Sequence, residues 1–100
     1  MSWTPEQIQA VWNKGRSVVG YDQNIHRLDQ CGAWIQRNRH GSRDSSLGWE
    51  IDHIDPNGSN DLPNLRPLQW KNNASRQDGR LTCPVVAEGD HNVDHSLERM

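Results

Sequence analysis

Apolar positions along this chain fall in short, separated groups. Ile8, Val11 and Trp12 recur at i, i+3 and i+4, the spacing of a single stripe on a helix. Thr4 stands where a cap is needed, Pro5 suits the first turn, and Glu6 complements the helix dipole. A helix is therefore predicted over residues 4–14, with Gly15 as its stop. Residues 16–30 show no regular period, and Val18 with Val19 is the candidate for a short strand there. The apolar run CGAWI at 31–35 is too short for periodicity to assign. RNRHGSRDSS at 37–46 is polar and reads as a loop.

The next stretch changes period. In GWEIDHI, residues 48–54, Trp49 and Ile51 share one strand face while Glu50 and Asp52 share the other. DPNGSNDLP at 55–63 is dense in turn formers and connects. Residues 65–69 read as a second strand with Leu65 and Pro67 on one face and Arg66 and Leu68 on the other; Pro67 demotes it to an edge or a distorted ladder position. WKNNASRQ, 70–77, reads as a helix with Trp70 and Ala74 toward the core, ended by Asp78-Gly79. Residues 81–87 suggest one more strand. Mixed helix and strand segments of this kind predict an α+β fold.

Composition narrows the class. At 100 residues the chain is one domain, predicted as 1–86 with a flexible acidic tail over 87–100. Hydrophobic residues are only 32% and mean hydropathy is -1.00, so a small core must be built from large side chains. Five tryptophans and no phenylalanine suggest indoles in the core or at its rim, with Trp3 the one expected to be exposed. No apolar run approaches the ~18 residues of a membrane span. The N-terminus lacks the basic-then-apolar pattern of a signal peptide, so a cytoplasmic setting is expected. Cys31 and Cys83 stand alone without a CxxC. They cannot build a four-cysteine zinc site, and reduced thiols are expected ahead of a bridge between them.

Net charge is -2, which argues weakly against a nucleic-acid partner. Residues 81–100 carry Glu88, Asp90, Asp94 and Glu98 against Arg99, a balance of -3, which leaves +1 for residues 1–80. Arg37, Arg39 and Arg43 cluster with His40 and no acid. That patch is either a phosphate-contacting surface or a solvated face. Arg27 and Asp29 are spaced for an ion pair.

The chemistry concentrates in WEIDHIDP, 49–56, where Glu50, Asp52 and Asp55 surround His53. A histidine can take a proton from water if its ring is held in one tautomer. Asn64, at the start of the second strand, could hold it if the strands pair. Asp52 offers a hard anionic oxygen and Asn73, on the helix, a neutral one. Such a pair suits Mg²⁺ or a similar cation rather than a closed zinc cage.

DHIDPNGSNDLPNLRPLQWKNNASR resembles the HNH endonuclease motif, the ββα-metal or His-Me finger, in the branch with asparagine at the third position. Asp52-His53 matches the Asp-His pair, Asn64-Leu65 the central Asn-Leu, and Asn73 the helix ligand. RLDQCGAWI and GWEIDHI extend the likeness more loosely over residues 10–82. The resemblance implies a nuclease domain with a core at 48–78 and an N-terminal helix, hydrolysing DNA phosphodiesters to 5′-phosphate and 3′-hydroxyl ends. His53 would be the general base, Asn64 its orienter, and Asp52 and Asn73 the ligands of Mg²⁺ or Mn²⁺. Asn72 adjoins Asn73, so the third position stays open by one residue. The two CxxC zinc pairs of many members are missing, and no structural zinc is expected. Arg66 and Arg76 flank the site and, with Arg37, Arg39 and Arg43, are candidates for the nucleic-acid backbone. Expected partners are duplex or nicked DNA and a targeting protein, with no membrane, the chain acting as monomer or homodimer. A non-catalytic nucleic-acid-binding module on the same fold is the alternative.

Overall fold

The computed structural model describes residues 2–96. Helix α1 spans Pro5–Trp12 and begins with a reciprocal cap: Gln7 N donates to Thr4 Oγ1 at 3.1 Å and Thr4 N donates to Gln7 Oε1 at 2.9 Å. Its stripe buries Val11 and Trp12. Three antiparallel strand pairs follow: β1 (His26–Leu28) with β2 (Trp34–Gln36), β3 (Trp49–His53) with β4 (Leu65–Gln69), and β5 (Val85–Glu88) with β6 (His91–Asp94). Helix α2 (Trp70–Ser75) leaves β4 without a linker, its first N–H groups capped by the Gln69 side chain, which accepts from Lys71 N and Asn72 N. The architecture is α+β, with few helices and short strand pairs. Among the described residues no helix is long and apolar enough to cross a membrane.

The core is an indole-centred cluster of Val11, Trp12, Ile35, Trp49, Ile51 and Leu65, with Trp3 and Ile8 packed on it. Trp12 and Trp49 meet at 5.4 Å between centroids. Burying an indole requires a partner for its N–H. Trp12 donates to Gln23 O, Trp34 to Gly89 O and Trp70 to Ser45 O. Trp3 is half-buried rather than exposed, because the segment before α1 folds back onto this cluster.

The β3–β4 ladder runs from Trp49↔Gln69 to His53↔Leu65. Pro67 fits it because the pleat turns alternate N–H groups outward. Gln69 N points away from β3, to the Asp29 carboxylate at 2.9 Å. Pro67, two residues earlier, therefore lacks a donor on the side the ladder does not use.

Several expectations give way to packing. Val18 and Val19 form no strand: Tyr21 N donates to Val18 O in a turn, and Val19 is 99% exposed. Ala74 is exposed, and Asn72 is the buried residue of α2. Arg27 and Asp29 form no pair. Arg27 donates to the carbonyls of Gln23, Asn13 and Gly15 beneath Trp12, while Asp29 turns inward. Asp78 and Gly79 both have positive φ and close a Gln77↔Arg80 turn after α2 has ended at Ser75. The segment from residue 87, expected as a flexible tail, instead completes the β5–β6 hairpin. Asn92 bonds both the N–H and the C=O of Trp34, and Lys71 pairs with Asp94 at 2.5 Å. Residues 97–100 of that expected tail lie outside the described residues.

Cys31 and Cys83 are joined as a disulfide, against the expectation of reduced thiols. The turn between β1 and β2 lies beside the segment entering β5, and Ala87 N donates to Gly32 O in the same seam.

Two predictions follow from this framework. The bridge spans 52 residues of sequence, and closing a loop of that size restricts the unfolded chain by roughly 4 kcal/mol in the chain-entropy account. Reductant or Cys83→Ser is expected to lower the urea midpoint accordingly, and an unchanged midpoint would refute a stabilising bridge. Second, hydrogen bonds from Lys71 and Ser96 hold the Asp94 carboxyl down from 3.8 to about 2. A depressed carboxyl stabilises the fold above its unfolded pKa, and that contribution is lost as pH falls through about 2. Amide shifts of residues 85–94 in acid should report the loosening, and Lys71→Ala should weaken this pH dependence, leaving the part that Ser96 supplies.

Candidate active site

The inner face of β3 holds a carboxylate between two arginines. Asp52 is 1% exposed. Arg66, opposite it in the ladder, donates from Nε to Asp52 Oδ2 at 2.8 Å. Arg76, just past the end of α2, brings its Nε to 2.5 Å from Asp52 Oδ1. That second contact is an ion pair without hydrogen-bond alignment, so Oδ1 is a buried oxygen accepting no hydrogen bond. The same Arg76 Nε donates to Asn73 Oδ1 at 3.0 Å. Two oxygens, one from β3 and one from α2, thus face one cationic nitrogen.

Glu50, two residues earlier on the same face, closes the other side. Its carboxylate accepts both guanidinium arms of Arg43, at 2.8 and 2.9 Å, and the Asn73 amide at 2.8 Å. Burial would raise its pKa, but the hydrogen bonds from Arg43 and Asn73 outweigh burial and hold it below the usual carboxylate range. The Asn73 side chain therefore donates to Glu50 and leaves its oxygen toward Arg76. Its neighbour Asn72 is spent internally: Nδ2 donates to Asp29 and to Val85 O, and Oδ1 accepts from Val85 N. Of the two asparagines, only Asn73 presents an oxygen to the Asp52 side.

His53 ends β3, and strand alternation turns it away from Asp52. Its ring lies 5.8 Å from that of Trp3, and its Nε2 meets Asn60 Oδ1 at 2.6 Å. An amide oxygen only accepts, so this contact places the ring proton on Nε2 and leaves Nδ1 as the lone-pair nitrogen. Asn64 was expected in that role. It instead staples the connecting loop: Oδ1 accepts from Asp55 N, and Nδ2 donates to the carbonyls of Asp55 and Ser59. Gly58 is required for this, since a Cβ there would stand 2.6 Å from Asn64 Nδ2. Asn64 thus shapes the loop that carries Asn60. Asp55 supplies turn chemistry, accepting from Asn57 N.

The candidate backbone-binding arginines divide. Arg66 is 6% exposed and donates also to Gln30 Oε1 and Gly79 O, so it is an interior group and not a surface for phosphate. Arg43 is neutralised by Glu50 but 55% exposed, stacked beside Trp70. Arg37 donates to Gln9, and Arg39 is exposed. His40 packs edge-on to Trp49, and burial, helped by Arg37, pushes its pKa down.

Sequence reasoning missed the contacts of Asn60 and Trp3 with the His53 ring. Asn60 sat unremarked in a run of turn formers. Among the described residues no three histidine, cysteine or acidic side chains gather as a metal group. The donor set at Asp52 fits a hard divalent cation by another route: one buried carboxylate oxygen accepting no hydrogen bond, and one amide oxygen directed at the same point. No family model, curated protein or solved structure matches the chain.

The geometry separates interior from surface arginines by energy. Arg66→Ala takes away the aligned hydrogen bond of buried Asp52, leaving it only the Arg76 contact, and is expected to cost about 2–3 kcal/mol, whereas Arg39→Ala should stay within about 0.5 kcal/mol. Chemical denaturation of both variants checks this, and similar losses would contradict it.

Proposed function

We propose that this chain is a small ββα-metal, HNH-type nuclease domain that hydrolyses DNA phosphodiester bonds by nicking. The observation that carries the reading is the convergence of Asp52 Oδ1 and Asn73 Oδ1 on one cationic nitrogen. They come from a strand–strand–helix unit, β3, β4 and α2, in the order and spacing of the resemblance. Asp52 and Asn73 would hold Mg²⁺ or Mn²⁺. When bound, such an ion supplies positive charge against the charge that develops on the phosphate and the leaving oxygen.

The chain's own residues do the rest. His53 Nδ1 takes the proton of a water whose oxygen bonds to phosphorus while the bond to the 3′ oxygen breaks. Asn60 keeps the ring in the tautomer that makes Nδ1 basic, and Trp3 limits its rotation. Because Asp52 and His53 face opposite sides of β3, a phosphate served by both would have to lie across the strand's end. Arg39 and Arg43 are the exposed cations for the flanking backbone. At a net charge of -2 their hold on DNA is weak at physiological salt, so a targeting protein is part of the proposal. One site cuts one strand per engagement, as monomer or as half of a homodimer. A cytoplasmic setting is part of the proposal, although the Cys31–Cys83 bridge is more usual in an oxidising compartment.

The double pairing of Asp52 favours a second reading, a non-catalytic nucleic-acid-binding module, because both carboxylate oxygens already face guanidinium groups.

Supercoiled plasmid incubated with Mg²⁺, Mn²⁺ or chelator decides between them. Metal-dependent conversion to open circle, reduced at least a hundredfold in His53→Ala as expected for loss of a general base (~10²–10⁴), supports the nuclease. Binding of DNA without any strand scission would favour the module.

A further inference from the structure

Arg76 occupies the point at which a cation shared by Asp52 and Asn73 would sit. Its Nε lies 2.5 Å from Asp52 Oδ1 and 3.0 Å from Asn73 Oδ1. We propose that Arg76 is a built-in competitor for the divalent cation: the guanidinium holds the two ligand oxygens together, and a metal ion binds only by displacing it. This rests on the metal site of the nuclease reading and adds how that site is filled.

Local charge supports the exchange. Asp52 brings one negative charge and faces two guanidinium groups, while the Glu50 charge is met by Arg43. The pocket as folded therefore carries surplus positive charge, and a divalent ion entering beside Arg76 would be repelled at short range. One arginine has to leave, and the two differ in their freedom to do so. The Arg66 side chain is 7% exposed and has further partners in Gln30 and Gly79 O. The Arg76 side chain is 30% exposed and lies just beyond the end of α2. Among the described residues its guanidinium pairs with Asp52 and Asn73, the two groups a metal would take over. Asp52 would then keep Arg66 on Oδ2 and give Oδ1, which accepts no hydrogen bond now, to the metal. Oδ1 is the oxygen that loses least by the exchange.

The test is Mn²⁺ binding to the full chain without nucleic acid, by titration calorimetry and by the loss of free-ion electron paramagnetic resonance signal. Arg76→Gln removes the competing charge and should bind Mn²⁺ about tenfold or more tightly than the wild type, the scale of a like charge removed at contact distance. Arg76→Lys keeps the charge and should remain within a few-fold of wild type, which separates competition from general loosening. Asp52→Asn should lose the binding. If binding depends on Asp52 but Arg76→Gln binds no more tightly than wild type, the competitor role is wrong and the metal site stands. If Mn²⁺ binds equally well to Asp52→Asn, or neither wild type nor Arg76→Gln binds it, the metal site itself is wrong and the proposal falls with it. Equal tightening in Arg76→Gln and Arg76→Lys would also overturn it, because charge would then not be the cause.

Discussion

The three strand pairs have no shared sheet, and one buried carboxylate ties them together. Asp29 is 4% exposed. It accepts from Cys31 N and Ala33 N in the β1–β2 turn, from Gln69 N where β4 becomes α2, and from the Asn72 amide. Asn72 in turn bonds both backbone groups of Val85 at the start of β5. The chain of contacts from Asp29 to Asn72 to Val85 therefore spans all three pairs. Burial pushes the Asp29 carboxyl up, and the four hydrogen bonds oppose that push without cancelling it. In a chain that is only 32% hydrophobic, saturated polar junctions of this kind do part of what a larger apolar core would do elsewhere. The disulfide and the Trp34–Asn92 contacts reinforce the same seam.

This junction also sets the site. It fixes the start of α2 against the end of β4, and so decides which of two adjacent asparagines turns inward. With Asn72 consumed, Asn73 projects along the face of Glu50 and Asp52. The opposite end of the ladder is fixed by Asn64, which shapes the loop after His53, and by Lys14 Nζ, which donates to the carbonyls of Leu62 and Leu65. The two ends of the β3–β4 unit are thus held by separate supports.

What could be seen in advance depended on range. The capped helix, the two alternating strands and the turn-rich spacer are local patterns, and their residues mark them plainly. The β4 bounds Leu65–Gln69 match the expected strand, although all five of its residues are buried and no alternation marks it. Val18-Val19 misled because β-branched residues favour a strand only where a partner exists, and a turn leaves Val19 in solvent. A strand was expected over 81–87, but its partner β6 was missed because polar composition suggested a frayed tail, while the hairpin is held by Trp34 and Lys71 far away in sequence. The candidate site divides in the same way. Residue types and spacing pointed to Asp52, His53, Asn64 and Asn73, yet which amide meets the histidine depended on the path of a loop. Asn60 against Asn64 could not be decided by spacing alone.

Two buried aspartates in one small domain invite comparison. Asp29 is surrounded by neutral donors with every contact aligned, an arrangement that gains nothing from exchange. Asp52 is surrounded by cations, and one of its oxygens accepts no hydrogen bond although it lies 2.5 Å from Arg76. A purely structural pair would be expected to use a guanidinium's forked geometry on the carboxylate, as Arg43 does on Glu50. Arg76 instead spans from Asp52 to Asn73, bringing charge to the first without an aligned bond. Burying a carboxylate against a poorly aligned partner is a weak source of stability. The fold already has a better solution at Asp29, so stability alone does not account for the Asp52 arrangement. The proposed exchange of one cation for another would use this arrangement, and the contrast with Asp29 is what directs that proposal to Asp52.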